Sequence, residues 1–158
     1  MIDTYLGILR DSLEKKLSVL EKIEKKSLEQ TEMIKASEPD LDAIDLNMDE
    51  KLKLIEEINQ LDDGFEALYR RIKEELENKK DSYKDEIKGL QELITKVTEK
   101  SSSIQAIEAR NKSQIDTFLT GRKKEIHHKK SAMSITRDYY QNMNKVKHVT
   151  PQFLDKKK

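Results

Sequence analysis

The sequence has little of what marks disulfide-rich, membrane-spanning or thickly packed globular proteins. It contains no cysteine and no tryptophan, two prolines, four glycines and 5% aromatic residues. The absence of cysteine excludes disulfides and thiolate metal sites and is compatible with a reducing compartment. No apolar run approaches the roughly 18 residues of a membrane span, and the N-terminal residues do not form a secretory signal. These absences predict a cytoplasmic protein without membrane insertion.

Charged residues are the most abundant class in the chain. They make up 39% of the 158 residues, against 35% hydrophobic residues. A thick globular core needs a larger apolar share, whereas long exposed helices joined by a narrow apolar seam fit this balance. The length favours one domain, and we therefore expect a single bundle of long helices.

An apolar stripe with helical spacing occupies most of the chain. The 111 residues between Pro39 and Pro151 contain no proline, and apolar residues recur there at steps of three and four, which keeps them near one face of an α-helix. The stripe comprises Leu52, Ile55, Ile58, Leu61, Phe65, Leu68, Ile72 and Leu76, and then Tyr83, Ile87, Leu90, Ile94, Val97, Ser101, Ile104 and Ile107. A chain with such a stripe and little else is suited to contacts rather than to catalysis.

Two breaks divide the chain into three predicted helices. Pro39 has no backbone N–H to donate and Asp40 is a favourable N-cap, so a second helix should begin at Leu41. The stripe has a gap at residues 78–82, where Asp81 could cap a third helix, whereas it continues unbroken across the turn-like residues 62–64. We place the second break at the gap. The predicted helices span about residues 2–36, 41–77 and 82–128, with an extension to 145 left open.

These helices predict an all-α protein, an antiparallel hairpin or three-helix bundle of coiled-coil character. The single domain covers residues 1–146, and residues 147–158 form a flexible basic tail. The seam of the first helix comprises Ile2, Leu6, Leu9, Leu13, Leu17, Leu20, Ile23 and Leu28. Gly89 is expected to permit a close helix contact. The stripe after about Ile94 is expected to run past the length that the other helices can cover.

Charge is divided unevenly along a chain whose formal net charge is zero. Residues 121–158 carry eleven Lys or Arg against three Asp or Glu, and residues 38–66 carry eleven Asp or Glu against two Lys. Such asymmetry often marks a surface for a partner. Pairing of the two ends within the fold, or solvated helix faces that simply differ, would give the same pattern, so these alternatives stay open.

No pattern of catalytic residues is present. The chain lacks nucleophile-elbow, Ser-His-Asp and glycine-rich phosphate-loop spacings. We interpret adjacent carboxylates such as Asp62-Asp63 as a solvated helix face, because no pocket-forming aromatic residues are available to shift their pKa values. We predict no enzyme activity and no cofactor.

Two patterns that resemble metal sites also fail. A calcium-loop pattern that begins at Asp45 has Glu50 where the loop needs glycine for its sharp turn. The adjacent His127-His128 would point about 100° apart on a helix and could not easily share a metal ion. We therefore predict no metal site.

Residues 104–118 carry the signature of a known family. They read Ile-Gln-Ala-Ile-Glu-Ala-Arg-Asn-Lys-Ser-Gln-Ile-Asp-Thr-Phe, in which aliphatic residues follow the Arg110-Asn111 pair. The long charged first helix, the acidic restart at residues 40–43, and residues 65–69 and 151–153 are similar to members of the same family. Over nearly its whole length, the chain resembles the FlgN-type flagellar export chaperones, whose functional cousins are the FliT-like cap chaperones.

The resemblance implies a cytoplasmic, non-catalytic helical chaperone. Such proteins bind the C-terminal segments of hook-associated (hook-filament junction) proteins before export and pass them to gate or ATPase components of the flagellar type III apparatus. The Arg-Asn pair of the signature maps to Arg110 and Asn111, and its following aliphatic positions map to Ile115 and Leu119.

The candidate client surface lies on the third helix. A thin bundle can leave part of its apolar stripe uncovered, and an amphipathic client helix can occupy that groove. The candidate client-binding residues are Ile94, Val97, Ile104, Ile107, Arg110, Asn111, Ile115, Phe118 and Leu119. The candidates for extending the groove or contacting a docking partner are Met133, Tyr139, Tyr140 and Met143. The alternative that the apolar members form the bundle core stays open.

Two other functions remain as alternatives. One is a structural coiled coil that forms a homodimer or tethers a complex, although the seam departs from strict heptads, which favours a short folded bundle. The other is a helical nucleic-acid-associated protein that uses the basic residues 122–130 and Tyr139-Tyr140, although the acidic remainder would repel a phosphate backbone.

Overall fold

Three long α-helices form the protein. In this computed structural model, which describes residues 2–121, α1 spans Ile2–Lys35, α2 spans Leu41–Asn78 and α3 spans Lys84–Thr120, and those residues include no strand. The predicted all-α, three-helix architecture is confirmed. The predicted continuation of the third helix to residue 128 or 145 and the tail at residues 147–158 lie outside the described residues.

The break between α1 and α2 occurs where the sequence predicts it. The Asp40 side chain accepts hydrogen bonds from the backbone N–H groups of Asp42, at 3.0 Å, and Ala43, at 3.2 Å. Those N–H groups have no partner within the helix, so this cap stabilises the start of α2, typically by about 1 kcal/mol. Pro39 precedes the cap and lies outside both helices.

The break between α2 and α3 lies at the gap in the apolar stripe. Helix α2 runs without interruption through residues 62–64, and turns occupy residues 79–83. One detail of the prediction is wrong: Asp81 lies inside the turns and does not cap α3. That helix begins at Lys84, after Tyr83, without a side-chain cap. Its first turn instead carries Asp85 and Glu86, whose charges the helix dipole favours at this end.

Helix α1 is the central helix of the bundle. It packs closely against both α2 and α3, whereas the backbones of α2 and α3 lie farther from each other. Lys16 and Gln30 of α1 bond to Asp62 and Lys51 of α2, respectively, so α1 and α2 are antiparallel. Since α3 reverses direction again, it runs parallel to α1.

The core consists of two apolar clusters. The first contains Val19, Leu20, Ile23, Leu41, Ile44, Met48, Ile55, Ile58, Val97, Ile104, Ile115 and Leu119. The second contains Ile2, Leu6, Leu9, Leu13, Phe65, Tyr69, Ile72, Leu76, Ile87, Leu90 and Ile94. Both clusters draw residues from all three helices, so most of the apolar stripe serves to hold the bundle together.

The seam of α1 changes character after Ile23, contrary to the sequence prediction. Leu28, which the periodicity assigns to the seam, is 50% exposed. The buried residues at this level are Ser27 and Gln30. The last two buried residues of α1 are therefore polar.

Gly89 does not mark a close helix contact, contrary to the prediction from the sequence. A Cβ atom built on Gly89 meets no neighbouring atom within 4 Å. The residue lines an open groove of about 320 Å³ between the first turns of α1 and α3, together with Gly7 of α1.

Because that space is empty, Gly89→Ala is expected to stabilise the protein. Alanine restricts the unfolded chain and favours the helix, which should raise the free energy of unfolding by about 0.5–1 kcal/mol. Urea denaturation of the two proteins measures the difference. A destabilised variant would show that α1 and α3 approach at Gly89 after all.

Candidate functional site

The candidate client surface of α3 is mostly buried in the bundle. The described structure buries Ile94, Val97, Ile104, Ile107, Asn111, Ile115 and Leu119, half-buries Phe118 and exposes Arg110. Within residues 2–121, the stripe after Ile94 does not run past its partners as expected, because Leu119, near the end of α3, is still packed in the first cluster. The core alternative therefore holds for the apolar members in this structure. Client contact by the nine residues stays a prediction.

The Arg-Asn signature divides into an outer and an inner residue. Arg110 faces outward, and it forms no ion pair with any other residue of the 2–121 region. Asn111 is 1% exposed and bridges α3 to α1, since its Nδ2 donates to the backbone oxygen of Ser27 at 2.9 Å and to Gln30 Oε1 at 3.1 Å. Its Oδ1 lies 2.8 Å from the Thr31 hydroxyl. Asn111 is thus a helix-pairing residue, and only Arg110 is available to a partner on the surface.

Asn111 belongs to a buried polar layer that crosses all three helices. The layer comprises Ser27 and Gln30 of α1, Lys51 of α2, and Glu108 and Asn111 of α3, each at most 1% exposed. Lys51 Nζ donates to Gln30 Oε1 at 2.7 Å and to both Glu108 carboxylate oxygens at 3.1 Å. Gln30 therefore accepts from α2 and α3 at once, and the layer sets the register of the three helices.

Burial and pairing act in opposite directions on Lys51. Its side chain is 0% exposed, and loss of water lowers the pKa of the ammonium group, while the charge and hydrogen bonds of Glu108 raise it; burial is the larger effect. Removal of one member of such a pair is strongly destabilising, because the other charge stays buried without its counter-charge.

A second buried ion pair joins α1 to α2 at the boundary of the two apolar clusters. Lys16 Nζ lies 2.7 Å from Asp62 Oδ1, and both side chains are nearly inaccessible to water. Burial raises the pKa of the Asp62 carboxyl above 3.8, although Lys16 opposes the shift; the nearby Asp63 and Glu66 add to it. This corrects the interpretation of Asp62-Asp63 as a solvated face, because only Asp63 is exposed.

The raised pKa of Asp62 predicts a pH dependence of stability. The folded state holds the proton of Asp62 more tightly than the unfolded state, so this contribution is complete below pH 3.8 and disappears as the pH rises through the raised value. Relative to Lys16→Met/Asp62→Leu, wild type should therefore lose unfolding free energy as the pH rises from 3.8. Urea denaturation across this range measures the difference, and a difference that is constant or grows with pH would contradict the assignment.

Sequence reasoning missed the buried charges because their neighbours are leucines. The predicted seam contains Leu17, Leu52 and Leu61, but the structure half-buries these residues. The buried positions beside them are occupied by Lys16, Lys51 and Asp62. A signal was present, since each charged residue also lies three or four positions from apolar seam residues on both sides.

An apolar groove is open on the surface between α1 and α2. Its volume is about 380 Å³, and its lining includes Leu9, Leu61, Phe65 and Leu68. Ile8, on its rim, is 48% exposed. Gly64 contributes to the opening, because a Cβ built there would meet nothing within 4 Å.

The remaining predicted sites give a mixed outcome. Met133, Tyr139, Tyr140 and Met143, together with His127-His128 and the basic residues 122–130, lie outside the described residues. Within residues 2–121, no group of three or more acidic or histidine side chains could hold a metal ion. None of the three helices α1–α3 is apolar enough along its length to span a membrane.

Comparison with known proteins identifies the family. A protein-family model described as FlgN protein matches residues 1–127, which is most of the chain, and this confirms the resemblance seen in the sequence. No curated protein and no solved structure gave a match. FlgN proteins are chaperones rather than enzymes, and membership indicates a role in flagellar protein export. The chain belongs to the FlgN family of flagellar export chaperones.

Proposed function

We propose that the protein is a cytoplasmic chaperone that binds the C-terminal helices of hook-associated flagellar proteins and delivers them to the gate or ATPase of the export apparatus. The observation that carries this proposal is the match of residues 1–127 to the FlgN family. The all-helical fold is compatible with it, because amphipathic client helices are commonly bound in apolar grooves between helices.

Two features of the described surface support the binding of an apolar helix. The groove between α1 and α2 offers Leu61, Phe65 and Leu68 without any rearrangement of the bundle. At the other end, Arg110 of α3 is exposed and Phe118, which packs against the first cluster, is half-buried. The fully buried candidates, such as Ile104, can contact a client only if the client replaces contacts within the bundle.

The proposal is tested by calorimetric titration with a hook-associated protein. We expect the full-length client to bind the chaperone and a client that lacks its C-terminal helix to release no heat. The truncated client is the matched control, since it keeps the rest of the client surface. Equal binding by both forms would place the contact elsewhere on the client, and absence of binding at tens of micromolar together with a stable self-dimer would favour a structural coiled-coil protein.

Arg110→Glu is expected to weaken client binding and leave the fold intact. Arg110 is exposed, and reversal of one surface charge in an interface changes affinity by about 1 kcal/mol, or roughly fivefold. Calorimetry measures the affinity, and circular dichroism with thermal melting measures the fold.

Lys96→Glu is the matched control for this variant. It makes the same change of charge at another exposed position of α3, and we expect it to leave affinity unchanged. Equal losses in the two variants would show a general electrostatic effect, and a collapse of helicity in Arg110→Glu would show that Arg110 is structural.

A further inference from the structure

The two ends of the bundle are built differently. The end that contains the starts of α1 and α3 is held by the second cluster, and in its segments 2–13, 65–76 and 87–94 every buried residue is hydrophobic. The opposite end, which we call the distal section, comprises residues 31–50 and 112–120. The polar layer of Ser27, Gln30, Lys51, Glu108 and Asn111 crosses the bundle at the border of this section, within the first apolar cluster.

The distal section contributes only a few buried residues to the first apolar cluster. The buried apolar residues beyond the polar layer are Leu41, Ile44, Met48, Ile115 and Leu119. Met33, Ile34 and Phe118 pack against them and are only partly buried. Because few apolar contacts hold this section, its local stability should be low compared with the opposite end.

Polar groups at the layer reduce the stability of this section further. Ser27 Oγ, Gln30 Nε2 and Asn47 Oδ1 are buried and have no hydrogen-bond partner among the described residues. Buried groups that lack a partner in the folded state recover one from water when the surrounding structure opens.

We propose that the distal section opens as one cooperative unit with the polar layer as its boundary, and that the opened inner faces of α2 and α3 receive the apolar face of a client helix. The uncovered residues would be Ile44 and Met48 of α2 and Ile115 and Leu119 of α3. The second half of this proposal rests on the proposed chaperone function. The first half concerns the free protein and stands apart from it.

Opening explains how a buried surface can bind a client reversibly. The open form is a minor population, and the apparent affinity for a client falls in proportion to that population. A client helix that replaces the intramolecular contacts can therefore be bound and released without unfolding of the opposite end.

Hydrogen exchange of the free protein tests the boundary. We expect amides of residues 40–50 and 112–120 to exchange at least about tenfold faster than those of residues 68–76 and 87–94, and to share one opening rate. The opposite end is the internal control, because it also lies at helix termini and frays in the same way. Equal protection at both ends would overturn the proposal.

An apolar replacement of the layer tests its role. In Gln30→Leu/Lys51→Met/Glu108→Leu/Asn111→Leu, the exchange of the distal section should slow by about tenfold or more relative to the opposite end. Lys16→Met/Asp62→Leu is the matched control, since it replaces the other buried pair outside the distal section. It should leave the ratio of the exchange rates at the two ends unchanged. If the fourfold variant does not fold, Lys51→Met/Glu108→Leu is used in its place. Equal slowing of amide exchange at both ends would show that the layer is not the boundary of the opening unit.

Calorimetry with the client helix separates the two halves of the proposal. The layer variant should bind the helix more weakly, by the same factor by which its opening is reduced. Unchanged affinity in a variant with slowed opening would overturn client entry at the distal section while leaving the chaperone function in place. If the wild type binds no client at all, the chaperone function fails, and the exchange data still decide whether the section opens.

Discussion

Lys51→Met is expected to lower the free energy of unfolding by about 3–5 kcal/mol. The variant removes the cation from Glu108, whose carboxylate would remain buried without its partner. It also removes the donor that reaches Gln30 Oε1 at 2.7 Å. Since small domains have a total stability of about 5–15 kcal/mol, thermal or urea denaturation should detect the change easily.

Two further variants control this result. Lys51→Met/Glu108→Leu removes both charges and should restore the stability to at least the wild-type level, because apolar replacement of a buried ion pair is often neutral or stabilising. Arg70→Ala removes one member of an exposed pair with Glu66, also 2.7 Å long, and should change stability by less than about 1 kcal/mol. If Lys51→Met and Arg70→Ala behaved alike, Lys51 would not be buried in solution.

Ile104→Ala is expected to destabilise the protein by about 2–5 kcal/mol. Ile104 belongs to the sequence-predicted client surface, but its side chain is fully buried in the first cluster. Removal of its side chain beyond Cβ leaves a cavity between the helices, and surrounding residues relax only partly into it. Urea denaturation measures the effect.

Ile8→Ala is the matched control, because Ile8 is an isoleucine on a neighbouring helix that is 48% exposed. We expect a loss of less than about 1 kcal/mol for this variant. A small effect at Ile104 would mean that the residue is accessible in the free protein. In that event the original interpretation of the α3 stripe as an uncovered surface would regain support.

The breaks between helices could be predicted because they depend on local chemistry. Pro39 and the Asp40 cap act within a few residues, and the gap at residues 78–82 interrupts a periodic pattern that is otherwise continuous. The start of α3 was predicted less accurately. Asp81 is a residue type that often caps helices, but the chain remains in turns through Tyr83.

The candidate site could be predicted only in part, since periodicity does not distinguish a core face from a binding face. The family signature at Arg110-Asn111 was visible in the sequence, but the different roles of its two residues depend on which side of α3 faces α1. The buried pairs were missed for a related reason. In a chain with 39% charged residues, a charge inside the stripe looks like the solvated charges around it until its partner on another helix is known.

The most direct test of the central claim is native mass spectrometry of the protein mixed in equal amounts with the C-terminal segment of a hook-associated protein, at about 10 μM each. Specific binding at micromolar affinity corresponds to about −8 kcal/mol and would leave a large share of both molecules in complex. We expect a complex of one chaperone with one client segment, which is lost when the segment is replaced by one of the same composition in scrambled order. Free chaperone or chaperone homodimer alone, with no client complex at tens of micromolar, would contradict it.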